Sequence, residues 1–73
     1  MDTWWVYLVG KVDRLYTGIT TDLKNRMRQH GQSMPLYHEG PMSRSAAVLR
    51  EREMKGWNRR KKLALVVRAS ERT

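Results

Sequence analysis

No cysteine occurs in the 73 residues, which rules out a disulfide framework and a thiolate metal site as sources of stability. That absence fits a reducing compartment, and a cytoplasmic location is expected. Acidic residues are scarce: seven Asp plus Glu stand against fifteen Lys plus Arg, for a formal net charge of +8. So large an excess on a short chain favours a polyanionic partner. A phospholipid surface is a weaker candidate, because every amphipathic segment has a globular role to fill. Long apolar runs are also missing. The uncharged stretch from Thr3 to Gly10 lies between Asp2 and Lys11 with no basic region before it, so it reads as neither a signal peptide nor a membrane span. No repeat, low-complexity segment or linker interrupts the chain.

A chain of this length reads as one domain, residues 1–73, and such a domain buries only about 60% of the surface its unfolded form exposes. Three Trp, three Tyr and five Met must supply much of the packing volume. Trp4 to Val9 is aromatic or branched throughout and reads as a strand buried on both faces. Gly10 to Arg14 reads as a turn and Leu15 to Thr20 as a second strand, completing a hairpin. Gly18 leaves room there for the close approach of another group. Thr21 or Asp22 can cap a helix that runs to about His30 and closes at Gly31. Met34 to Glu39 suggests a third strand, with Gly40 and Pro41 as the turn after it. Ser43 or Ser45 can cap a helix from Ala46 to about Lys55, ending near Gly56. Asn58 can cap a short last helix from Arg60 to Leu65, although Leu63 to Val67 favours a strand equally well. The expected fold is α+β, in the order β-β-α-β-α with a short helix or tail, its three-stranded antiparallel sheet flanked by helices.

Four kinds of residue stand out chemically. Glu51 has Ala47, Val48 and Met54 among its helical neighbours, so its carboxylate falls on the packing face. There it needs a cationic partner such as Lys55, or a bound cation. Arg26 borders the apolar face formed by Leu23, Met27 and His30; its guanidinium can reach a phosphate, or its stem can cover Met27. His30 suits a helix C-terminus. Tyr7 and Tyr16 lie on paired strands and can stand near one another, as packing residues or as a reactive pair. Metal-assisted phosphodiester cleavage needs a base, a positive clamp and a metal ligand, and this combination offers all three.

The segments VYL at Tyr7 and YTG at Tyr16 to Gly18, followed by YTGITTDLKNRMRQH and SRSAAVLREREMKGWNR, resemble the GIY-YIG nuclease superfamily. The likeness is to its small single-domain bacterial branch and covers roughly Trp4 to Leu65. VYL replaces the first motif but keeps its tyrosine. GQSMPLYHEG stands where relatives carry a longer basic loop after the first helix. The resemblance implies a metal-dependent endonuclease acting on DNA, selective for structure rather than for sequence. It implies Tyr7, Tyr16, Arg26, His30 and Glu51 as catalytic residues, with Glu51 holding Mg²⁺ or Mn²⁺. Lys24 and Arg28, with the run Arg59, Arg60, Lys61 and Lys62, are the expected contacts to nucleic-acid phosphates. No membrane partner is expected, and the chain is expected to be a monomer or a weak homodimer. Two other readings stay open: a non-cleaving nucleic-acid-binding domain, and a protein-interaction module built on Trp4, Trp5 and Trp57.

Overall fold

Six elements follow one another: β1 (Trp4–Lys11), β2 (Arg14–Thr20), α1 (Leu23–Gln29), β3 (Tyr37–Met42), α2 (Arg44–Lys55) and α3 (Arg59–Glu71). The computed structural model describes residues 3–12 and 14–71. The strands form one antiparallel sheet in the order β2-β1-β3, giving the expected α+β fold with one further full helix. The central place of β1 accounts for its unbroken apolar sequence. Val6 and Leu8 pack on one side with Ala47 and Met54 of α2, joined by Trp57, Leu65 and Val66. Tyr7 and Val9 pack on the other side with Met27 and Leu23 of α1. Among the described residues, no helix is long and apolar enough to cross a membrane.

Local chemistry sets the element ends. The β1–β2 ladder runs on to Lys11 and Arg14, so the turn is shorter than the sequence suggests. At its tip Val12 takes φ 54°, a left-handed conformation that a branched side chain adopts only under strain; the neighbouring Asp13 lies outside the described residues. The Asp22 carboxylate accepts from the Asn25 amide at 3.0 Å and starts α1. Gly31, at φ 73°, ends it. The Gln32 and Gly31 amides there donate to the Met27 and Arg28 carbonyls at 2.8 and 3.1 Å, a Schellman closure. Ser43 caps α2 through the Ala46 amide at 3.1 Å, and Asn58 caps the start of α3 through the Lys61 amide at 2.9 Å.

One expectation is corrected and one open alternative is decided. The third strand is Tyr37–Met42, three residues later than the sequence suggests, and Gly40 and Pro41 lie within it rather than in a turn. As an outer strand with a register shift opposite Trp4 and Val6, β3 tolerates a proline. Gly40 sits at φ 139°, where a Cβ would come within 2.8 Å of the Trp4 carbonyl oxygen. Leu63 to Val67 is helical, because α3 continues to Glu71 and turns Leu65 and Val66 into the α2-side core.

A polar network ties α2 to β3. Arg50 donates from Nε and Nη2 to both Glu39 oxygens at 2.9 and 2.8 Å, from Nη1 to Glu53, and lies over the Trp57 ring. The Tyr37 hydroxyl donates to Glu39 at 2.7 Å. Hydrogen bonding from Arg50 holds the Glu39 carboxyl below its usual range, and burial, then the Glu39 contact, pushes the Tyr37 phenol up to about 12.

Candidate active site

Strand register decides which side chains share a face. Tyr7 pairs with Gly18 across β1–β2 and with His38 across β1–β3, so all three stand on the α1 side of the sheet. Tyr16 pairs with Val9, placing it diagonally from Tyr7 on the same side. The two tyrosines differ sharply in access: Tyr7 is 3% exposed and Tyr16 is 43% exposed. The Tyr7 ring lies directly over Gly18, where a Cβ would stand 2.4 Å from its hydroxyl oxygen. The close approach expected at Gly18 is thus made by a residue of the neighbouring strand.

The Tyr7 hydroxyl reaches His30 Nε2 at 3.1 Å, and the rings meet edge-on with centroids 5.7 Å apart. His30 is placed by the C-terminal closure of α1, which Gln32 ties to β1 by donating from Nε2 to the Gly10 carbonyl at 3.0 Å. Burial first, then the positive charges of Lys11 and Arg26, holds the His30 imidazole below its ordinary value of 6.5. Tyr7, Arg26 and His30 are therefore gathered into one neighbourhood, with the Arg26 side chain exposed on α1. Lys11 belongs to it as well, although sequence reasoning missed it. Its approach to His30 joins the end of a strand to the end of a helix, and no spacing along the chain signals that. His38 was missed too; it stands beside Tyr7 in register and meets the edge of Trp5 at 5.5 Å.

The His30 environment carries a pH consequence. Below about pH 6.5 the unfolded chain binds a proton at this ring that the folded chain resists, so stability falls as pH drops through that value and levels off below the folded one. Urea midpoints measured between about pH 7.5 and pH 5.5 should slope less in His30→Gln than in the parent chain.

Glu51 lies on α2, on the far side of the sheet from α1, and α2 packs across both β1 and the outer strand β2. Its side chain is 20% exposed and its Oε2 stands 3.4 Å from Lys55 Nζ, the partner that its helical spacing allows. The described contacts of Glu51 do not include Tyr7, Tyr16, Arg26 or His30. Among the described residues no three His, Cys, Asp or Glu side chains gather to enclose a metal. A divalent cation at Glu51 would have to displace the Lys55 ammonium and would keep most of its water shell, since few protein oxygens are at hand.

Lys24 and Arg28 are exposed on α1, and Arg59 to Lys62 form the first turn of α3. That run does not make one patch. Lys61 Nζ lies over the Trp57 ring, 4.4 Å from its centroid, whereas Arg59 and Lys62 line a cleft with Arg14 and Leu15. The three tryptophans make no common surface either. Trp4 and Trp57 pack against the α2-side core, each with a cation over its ring, while Trp5 meets His38.

Comparison with known proteins places the chain in a family. The profile of the GIY-YIG catalytic domain matches residues 3–64. The chain is similar to a UPF0213 protein of Haloquadratum walsbyi, 39% identical over 88% of this chain and 86% of that protein. It is also similar to a UPF0213 protein of Cronobacter sakazakii, 35% identical over 90% and 83%. The UPF0213 protein YhbQ of Escherichia fergusonii is 34% identical over 96% and 83%. The first of these alignments spans 77 positions yet takes in only 88% of this chain, so the relative has residues within the matched span that this chain lacks. No solved structure matches the chain significantly.

Proposed function

The chain belongs to the GIY-YIG family of nuclease domains, and we propose from that premise that it is a divalent-metal-dependent endonuclease hydrolysing phosphodiester bonds in DNA. The observation that carries this reading is the gathering of Tyr7, Arg26 and His30 on the sheet face that also presents Tyr16. Exposure divides the roles of the tyrosines. Tyr16 has a solvent-facing phenol and takes the proton of the attacking water, whereas Tyr7 is buried and fixes the floor of the site. A neutral His30 with its proton on Nδ1 accepts the Tyr7 hydroxyl at Nε2, so its first task is to orient Tyr7 rather than to touch the phosphate. Arg26 offsets charge developing on the phosphoryl oxygens. Glu51 would hold Mg²⁺ or Mn²⁺. Bound there, the cation would polarise the phosphate and stabilise the leaving oxygen.

Exposed cations on α1 and α3 supply backbone contacts, and among the described residues no element presents a base-reading module, so selection by DNA structure is part of the same proposal. A non-cleaving nucleic-acid-binding domain is the second reading. What favours it is the engagement of Glu51 by Lys55 together with the lack of an acidic cluster among the described residues.

The test is a cleavage assay on labelled single-stranded, duplex, flap and branched DNA and on an RNA panel, each with Mg²⁺, with Mn²⁺ and with chelator. The expected result is product on DNA that chelator removes, with Glu51→Gln needing more metal for the same rate. Salt-sensitive binding with no product from any substrate would replace this reading with the non-cleaving one.

A further inference from the structure

The central strand β1 carries two aromatic side chains on the α1 side of the sheet, and they lean opposite ways. Tyr7 lies over Gly18 of β2, whereas Trp5 lies against Gly40 of β3, where a Cβ would stand 2.9 Å from its ring carbon Cε3. The register of β3 explains the second placement. Trp4 pairs with Met42 and Val6 with Glu39, so Gly40 and Pro41 together stand opposite Trp5 alone. Such a bulge re-aims the side chain beside it. His38, directly opposite Tyr7, shares this face and meets the indole edge-on, with ring centroids 5.5 Å apart. Trp5 joins neither described apolar cluster: Trp4 and Trp57 pack into one, and Tyr7 into the other. It is half-buried, and His38 is exposed. A tryptophan held in place outside the core offers an aromatic surface at a fixed position.

We infer that Trp5 and His38 form a stacking platform for one unpaired nucleobase beside the site of cleavage. Three observations choose this occupant. Trp5 and Tyr7 are alternate residues of β1, about 7 Å apart along the strand, so a base on the indole lies one step from Tyr7 and its His30 partner. The seven residues of α1, on the same side of the sheet, include the exposed cations Lys24, Arg26 and Arg28 and no acid, which suits the phosphates flanking that base. The exposed surface of one indole and one imidazole matches a single base. It falls far short of the roughly 800 Å² per partner that a stable protein interface buries. Stacking tolerates any sequence, because every base has a π-face. Inside a duplex that face is covered by neighbouring bases, so only a single strand, a flap or a frayed end can use the platform. It rests on the nuclease reading above and names the substrate class preferred at that site, DNA with an unpaired nucleotide next to the scissile bond.

The experiment measures binding to labelled single-stranded, duplex and fully abasic single-stranded DNA across a salt series, with chelator present. The proteins are the parent chain, Trp5→Leu, Trp5→Phe, His38→Gln and Lys24→Gln. Trp5→Leu should weaken single-strand binding by about 5-fold or more, the loss of one base–aromatic stack. Trp5→Phe should keep most of the affinity, and His38→Gln should lose part of it. In all three the slope of log K against log salt should stay at the parent value, because no phosphate contact is lost. Lys24→Gln, by contrast, should lower that slope by about 0.7 on single strands. Duplex and abasic DNA should bind the parent chain and Trp5→Leu alike. Equal urea midpoints identify the effect as local, and His38→Gln, at an exposed position, carries the comparison where Trp5→Leu is unstable. If Trp5→Leu loses as much affinity for duplex or abasic DNA as for the ordinary strand, the pair touches no base and the platform is overturned. A lower salt slope in Trp5→Leu overturns it too, by assigning the pair to the backbone. Loss of self-association in sedimentation, with nucleic-acid binding intact, assigns the pair to a protein interface instead. If the parent chain binds while the Trp5 and His38 variants bind like it, the platform fails alone. If the parent chain binds no nucleic acid even at low salt, the nuclease reading fails and the platform falls with it.

Discussion

Replacing Arg26 with alanine should lower the cleavage rate by about 10²- to 10³-fold, the usual cost of removing a preorganised group that faces developing charge. Binding should weaken only by the loss of one phosphate contact. Arg26→Lys should recover little of the rate, because an ammonium lacks the planar fork that matches two phosphoryl oxygens. Stability should stay within about 0.5 kcal/mol of the parent, since the side chain is exposed on α1. One readout is independent of activity. The Arg26 charge helps hold the His30 imidazole down, so an NMR titration of Arg26→Ala should show the His30 pKa moving up toward its ordinary value. An unmoved His30 would separate the two residues and dissolve the cluster, whatever the assay gives.

Gly18→Ala should destabilise the fold by about 1–3 kcal/mol, the range for forcing extra volume into a packed site. The added methyl would stand 2.4 Å from the Tyr7 hydroxyl and 2.6 Å from the ring carbon that bears it. Neither backbone can give way easily, because Gly18 and Tyr7 are direct ladder partners. Alanine ordinarily gains about 0.5–1 kcal/mol over glycine inside a strand, so a net loss means that the clash prevails. The ring must swing away from Gly18, and its bond to His30 goes with it. Urea unfolding of Gly18→Ala, Tyr7→Leu and the pair should show coupling: the alanine should cost less once the ring has gone. Full additivity would mean that Tyr7 does not lie over Gly18. In a domain this small each kcal/mol lowers Tm by about 4–8 °C.

These two residues also illustrate what could be read from the letters. Tyr7 lies in a run with no polar interruption, and only a central strand with helices on both sides accounts for that. Asp22, Ser43, Gly31 and Gly56 marked helix ends because capping chemistry is local. The third strand was misread because Met34 and Leu36 look like strand residues yet are largely exposed, while Pro41 looks like a turn and is tolerated at an outer edge. The last helix was ambiguous because its fate depended on Leu65 and Val66 reaching a core built by other elements. In the candidate site, Arg26 and His30 were legible from their four-residue spacing. Glu51 was legible as a carboxylate on a packing face, with Lys55 as the partner that spacing allowed. Lys11 was not legible, since its charge acts on His30, which lies in a distant segment.

The sheet separates two apolar clusters of unequal strength. On one side two helices share a cluster with Trp57, Leu65 and Val66, while on the other α1 contributes Met27 and Leu23 to the described apolar cluster. Local opening free energies follow such differences, so the seven-residue helix that carries Arg26 is expected to open first on warming. Foldedness and competence are then lost at different temperatures, the second before the first. If the proposed function holds, a nucleic acid contacting the exposed cations of α1 would bind only the closed form, and by mass action it would hold that side shut. The substrate would thereby act as a missing part of the core, and the temperature at which activity is lost should rise with the amount of nucleic acid present.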